Sequence, residues 1–258
     1  MTDPSSSIAT ATAPLPPLTA QAERLIELGV HELAGIPAEE LRAFAERAGS
    51  GGSGGSDRSA ESGGSGRGGS AGGGGSAGGG GSAGLGRSAG SGALLAVHPD
   101  RVPASALAPL LRRDDKPGFV VVDMPDVDDF APHAVELPDA PLYVVTGLDR
   151  GDHMANWSPE EALPALTKDD RSPLVLSEGI HWVLQQPAAL ERNRCFMTIG
   201  SRLRRPNGTL DARTPAIWIS NGTGRDGRER RNAPKVGWCW WGNRHTWLGF
   251  GSTTGRVR

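Results

Sequence analysis

Hydrophobic spacing divides this chain into periodic segments and one long stretch with no period at all. Near the N-terminus, Ala22, Leu25, Ile26 and Leu28 recur at helical spacing in AQAERLIELG, with Thr19 placed to cap. Gly35 to Leu41 (GIPAEEL) restarts a helix, with Pro37 early and Glu39 and Glu40 in its first turn. Two helices this short cannot enclose a core. Residues 1–48 are therefore expected to dock on the rest of the chain or on a protein partner.

From residue 93 the pattern turns to strands. Ala93–Val97 and Phe119–Asp123 flank a short helix near Ala104–Arg113, which predicts a βαβ unit with parallel strands. Pro141–Thr146 (PLYVVT), Cys195–Ile199 and Ala216–Ser220 (AIWIS) are further strands. Ser158-Pro159-Glu160-Glu161 is a capping box that opens a helix to about Leu166. Ser177 is expected to open EGIHWVLQQ, which stops at Pro187 and carries Ile180, Val183 and Leu184 on one face. Near the C-terminus, Val236–Trp241 and Arg244–Phe250 are β-branched and aromatic runs separated by Gly242-Asn243. That spacing predicts a two-residue hairpin pairing Trp240 with His245 and Trp238 with Trp247. The fold class expected is α+β: a mixed sheet with a C-terminal antiparallel hairpin and helices on one side.

Composition changes this picture at one place. Residues 49–92 hold 22 Gly, 11 Ser and 5 Ala, with GGGGSA twice in tandem at 72–77 and 78–83. Such a tract cannot bury enough apolar surface to offset its ordering entropy, so a long disordered Gly/Ser linker is expected between residues 1–48 and a main domain at 93–258. Two cysteines offer no disulfide framework and suit a reducing compartment. No apolar run approaches the length of a membrane span and the N-terminus lacks a signal-peptide pattern, so a cytoplasmic protein is expected. The excess of arginine over lysine, with abundant Ala and Gly, suggests a GC-rich bacterial genome.

Net charge is −2 overall, but residues 93–200 carry −8 and residues 201–258 carry +9. Either the halves neutralise each other within one domain, or the basic third faces an anionic partner. The basic third also holds five of the seven tryptophans. Within it, Gly222, Gly224 and Gly227 satisfy G-x-G-x-x-G after a strand. A dinucleotide fingerprint also needs an amphipathic helix at the last glycine, and here the chain continues RERRNAP, so that reading fails. What remains is a flexible loop whose backbone N–H groups can meet an anion beside Arg225, Arg228, Arg230, Arg231 and Lys235.

The candidate ligand-binding set is therefore Asn221, Gly222, Gly224, Arg225, Asp226 and Arg228 from the loop, with Trp240, Arg244 and His245 from the expected hairpin. These residues either ring a pocket for a small phosphorylated or nucleotide-like ligand, or form a solvated loop and the wet edge of a sheet. A main domain of near-zero net charge argues against a general nucleic-acid binder. For an enzyme, the side chains to examine are His181, Cys195, Cys239, His245, Asp149, Asp152, His153 and Asp226. A zinc site from His181, Cys195, Cys239 and His245 lacks metal-ligand spacing. The sequence implies no metal and no cofactor. An interaction or scaffold role without chemistry is the alternative.

The strings SEGIHW, CFMTIGSR, WISNGTGRDG, APKVGWCW and GNRHTWLGF resemble an uncharacterised bacterial family catalogued only as a domain of unknown function. The resemblance spans the main domain and extends to the N-terminal helices. It implies no activity, cofactor or catalytic residue.

Overall fold

A computed structural model describes residues 14–50 and 92–258. The chain begins with α1 (Leu18–Glu27), the single turn α2 (Val30–Leu33) and α3 (Ala38–Ser50). Then come β1 (Leu94–Val97), the one-turn α4 (Ala104–Leu107), β2 (Arg112–Arg113), β3 (Lys116–Pro117), β4 (Phe119–Val120), β5 (Phe130–Pro132) and β6 (Leu142–Thr146). Next are α5 (Pro159–Lys168), β7 (Ser172–Pro173), α6 (Leu176–Gln185), β8 (Cys195–Met197), β9 (Ser201–Leu203) and β10 (Arg213–Ile219). The chain closes with β11 (Pro234–Trp240), β12 (Leu248–Phe250), β13 (Ser252–Thr253) and β14 (Gly255–Val257).

The fold is α+β with a mixed sheet. Five strands run in the order β12-β8-β10-β11-β4, and a second sheet has the order β1-β6-β14. In the first, β10 is antiparallel to β8 and β11, whereas β12 runs parallel to β8 and β4 parallel to β11. The second is antiparallel throughout.

Helix α6 sits at the centre. All ten of its residues are buried, because it packs on β1 of one sheet and on β10 of the other. Gly179 permits that approach, since a Cβ there would lie 2.5 Å from Thr198 Cγ2 and 3.1 Å from Ile217 Cδ1. The β1 edge is closed by side chains rather than by a further strand. Gln21 of α1 accepts from Leu95 N–H at 2.9 Å and donates to Ala93 O at 2.7 Å, and His181 of α6 accepts from Val97 N–H at 3.3 Å. Gln185 donates to Gln21 O at 3.0 Å, tying α1 to α6. An open strand edge carries unpaired N–H and C=O groups, and here a glutamine and a histidine satisfy them. The N-terminal helices thus dock on the main body and bury Ala22, Leu25, Leu41 and Ala45.

Several sequence expectations are corrected by this topology. Val236–Trp241 and Arg244–Phe250 do not pair across Gly242-Asn243. The antiparallel hairpin near the C-terminus is β10 with β11, joined by the long loop at 220–233, and β12 departs to run beside β8. The strands at Leu94–Val97 and Phe119–Val120 lie in different sheets, so they form no βαβ unit. Thr19 lies inside α1, which starts after Pro17. Ser177 lies inside α6, and the helix is capped from afar by Ser201 Oγ, which accepts from Leu176 N–H at 2.9 Å. The Ser158–Glu161 capping box is present, with Ser158 N–H donating to Glu161 Oε2 at 2.9 Å. The Gly/Ser tract read as a linker lies outside the described residues over 51–91, while its expected first residues, Gly49 and Ser50, complete α3.

Candidate functional site

The loop between β10 and β11 leaves the sheet where Ile219 pairs with Pro234. Gly222, Gly224 and Gly227 all have positive φ, at 67°, 60° and 78°. At Gly222 the requirement is also steric, because a Cβ would fall 2.6 Å from Arg231 Cβ where the loop's two arms cross. The G-x-G-x-x-G spacing therefore marks turns and a chain crossing within the loop.

The base of the loop is tied down by its polar residues. Asp226 accepts from Ser220 Oγ at 2.7 Å and from Lys235 Nζ at 2.9 and 2.8 Å on its two oxygens. Gly222 N–H donates to Ser220 Oγ at 3.0 Å. Arg192, just after α6, donates to Asn221 Oδ1 at 3.0 Å and to Asn232 Oδ1. Asn221 and Asp226 are thus engaged as anchors.

The cations of the loop differ in their partners. Arg225 reaches Asp123 at 3.5 Å while staying three-quarters exposed. Arg230 lies over the Phe119 ring at 4.4 Å, and Lys235 over Trp218 at 4.9 Å. Arg228 and Arg231 are exposed and meet no acidic side chain or ring among the described residues.

The three aromatic and basic residues expected to join the loop are dispersed. His245 connects to it only through rings: His245 to Trp247 at 5.3 Å, Trp247 to Trp218 at 6.0 Å, then Lys235. Burial lowers the His245 pKa, and its Nε2 is buried without a partner. Trp240 stands opposite Arg213 at the far end of β11, about 20 Å along the strand at roughly 3.3 Å per residue. An odd number of positions separates it from Lys235, so the two side chains lie on opposite faces of the sheet. It packs on Trp238 at 4.5 Å and is 46% exposed. Arg244 turns away to the Glu161 carboxylate at the start of α5. The nine residues do not converge on one concave surface.

The enzyme candidates are similarly separated. Cys195 donates to Glu191 O at 3.4 Å, and burial pushes its thiol up to about 11. Burial pushes Cys239 up to about 12. Both cysteines are therefore protonated and weakly nucleophilic at neutral pH. His181 donates from Nδ1 to Ser177 O at 2.8 Å and accepts at Nε2, so it is a neutral imidazole, and burial lowers its pKa to about 4. Asp149 accepts from Gly151 N–H at 2.7 Å, and Asp152 pairs with Arg150 at 2.7 Å. Among the described residues, no group of three or more His, Cys, Asp or Glu side chains is placed to hold a metal ion.

Sequence reasoning missed two polar clusters. Glu178, fully buried in α6, receives Arg256 of β14 at 2.6 and 2.8 Å, the Tyr143 hydroxyl at 3.1 Å and Val175 N–H at 3.0 Å. Arg202 stacks on Trp241 at 3.9 Å, donates to Asp211 O at 2.8 Å and leaves Nε without a partner. Neither has a local signal, since Glu178 and Arg256 lie 78 positions apart.

Part of the charge asymmetry between the halves is taken up by ion pairs between them. Arg213–Asp126, Arg225–Asp123, Arg244–Glu161 and Arg256–Glu178 each join the basic third to the acidic segment. No described helix is long and apolar enough to cross a membrane. No curated protein and no solved structure matches the chain. A family model described as "Family of unknown function (DUF5701)" matches residues 24–258, from within α1 to the last residue, and the chain belongs to that family.

Proposed function

We propose that this is a cytoplasmic bacterial protein that binds a small anionic ligand, phosphorylated or nucleotide-like, at the loop Asn221–Arg231. One observation carries the reading. The base of the loop is fixed by Asp226, Lys235, Ser220 and Arg192, yet Arg228 and Arg231 at its surface have no acidic partner among the described residues. Exposed guanidinium forks suit phosphate or carboxylate oxygens, which they meet in pairs of parallel hydrogen bonds. Arg225 is held by a single contact to Asp123 and can turn to the same anion. Gly222 N–H and Asp226 N–H are engaged by Ser220 Oγ and Thr223 O, so the neutral donors of the loop are the backbone N–H groups of Thr223, Gly224 and Gly227. Trp240 and Arg244, at the far end of β11 and against α5, stand outside this site.

A thermal-shift series of the full chain with inorganic phosphate, sugar phosphates and nucleotides tests the reading. A ligand at 100 times its Kd adds about 2.7 kcal/mol to a folded state that alone binds it. At least one member should raise Tm, the rise should shrink with added salt, and Arg228→Ala with Arg231→Ala should remove it. A rise that survives in the double variant, or no rise with any member, contradicts the site.

A further inference from the structure

Glu40, Phe44 and Arg47 occupy positions i, i+4 and i+7 of α3 and so share one stripe of that helix. The stripe forms one wall of a cleft of about 230 Å³. Ala140 and Pro141, with Leu142 at the start of β6, and Arg258 complete its lining. Its apolar lining is Phe44, Ala140, Pro141 and Leu142. Its charges are unmatched: Arg47 meets no acidic partner among the described residues, and Arg258 has only a 3.4 Å contact to Asp139 O. Glu40 lines the same cleft without pairing with either arginine. It lies about 10 Å from Arg47 along the axis, at roughly 1.5 Å per residue.

We propose that this cleft binds a small amphipathic carboxylate with an alkyl or aryl body. The carboxylate lies between Arg47 and Arg258, where two guanidinium groups meet no acidic side chain among the described residues. The hydrocarbon covers Phe44, Pro141 and Leu142, which removes apolar surface from water on both partners. Glu40, in the same lining and about 10 Å from Arg47 along α3, disfavours a second negative charge, so the ligand is a monoanion rather than a dianion. The cleft shares no residue with the basic loop.

Isothermal titration of the full chain with octanoate tests this, with octylamine as the matched cation. Octanoate should bind with a dissociation constant below millimolar, and octylamine should bind at least tenfold more weakly. Arg47→Ala with Arg258→Ala should weaken octanoate at least tenfold while leaving Tm and circular dichroism unchanged, because both side chains are exposed. Arg47→Lys alone should retain most of the binding. Arg228→Ala with Arg231→Ala should bind octanoate as the natural chain does, so this site and the loop fail independently. Absence of octanoate binding, equal binding of octylamine, unchanged affinity in the Arg47/Arg258 variant, or loss of octanoate binding in the loop variant would each overturn the proposal.

Discussion

Arg256 and Arg228 mark two extremes in the way this chain uses an arginine. Arg256 is almost wholly buried and meets both oxygens of Glu178, itself fully buried, with further bonds to Ser172 Oγ and Pro173 O. Arg228 lies on the surface with no partner of either charge among the described residues. A buried charge must be paired and hydrogen-bonded, because desolvation costs several kcal/mol per ion. A surface charge is satisfied by water and remains free for a ligand. Both arginines belong to the same basic third, and only the fold separates the structural one from the candidate binding one.

The sharpest way to break that contrast is Glu178→Gln. The amide keeps the size of the side chain but leaves Arg256 buried without a counterion. Urea denaturation should show a loss of about 3–5 kcal/mol. A loss below about 1 kcal/mol would mean that the pair is wetter than its burial indicates, and the distinction between the two clusters would weaken.

The next effect comes from His181, which shares α6 with Glu178. Burial holds its pKa at about 4, below the ordinary 6.5, so the unfolded chain takes up the proton first. Stability from this group is therefore fully present above about pH 6.5 and is lost as pH falls towards 4. That difference corresponds to about 3 kcal/mol at most. His181→Gln should flatten this part of the profile when unfolding free energies are measured between pH 7 and 4. An unchanged slope would show that the imidazole is not buried neutral beside Val97.

What the sequence disclosed follows the same division between local and distant partners. The Ser158–Glu161 box was legible because cap and acceptor lie three positions apart. The strands expected at Pro141–Thr146 and Ala216–Ser220 were legible because their apolar content is local, although the second begins three residues earlier, at Arg213. Pairing was not. Gly242-Asn243 is good hairpin chemistry, yet β12 pairs with β8 at the opposite edge of the sheet, a choice made by distant contacts rather than by the turn, since β4 meets β11 only at Lys235 and Val236. His181 and Gln21 could not be recognised as the closure of the β1 edge, since neither is near Leu94–Val97 in sequence. At the candidate site, the glycines and arginines of the loop were legible from composition. Their anchoring through Arg192, and the removal of Arg244 to Glu161, depend on contacts 29 and 83 positions away.

Within the loop, the same comparison predicts a smaller effect at its anchor. Asp226→Asn removes the charge that holds Lys235 Nζ and weakens the bond from Ser220 Oγ. Both side chains retain some contact with water, so the expected loss is about 1–2 kcal/mol. Hydrogen exchange should quicken from Gly222 to Arg231 while α6 stays protected. Equal quickening in α6 would mean that the loop and the core open together.

The smallest effect is expected where the charges are free. Arg228→Ala with Arg231→Ala, measured without ligand, should change unfolding free energy by less than about 0.5 kcal/mol, because both side chains are exposed and neither has an acidic or ring partner among the described residues. The sign should be slightly favourable at low salt. Arg225, Arg228, Arg230, Arg231 and Lys235 crowd one loop whose own acidic residues are Asp226 and Glu229, with Asp123 meeting Arg225 from outside, and removing two cations relieves their repulsion. Salt near 0.15 M shortens the Debye length to about 8 Å, so the gain should fade as salt is added. A loss above about 1 kcal/mol would place both arginines with Arg256 among the structural charges, and the proposed anion site would go with them.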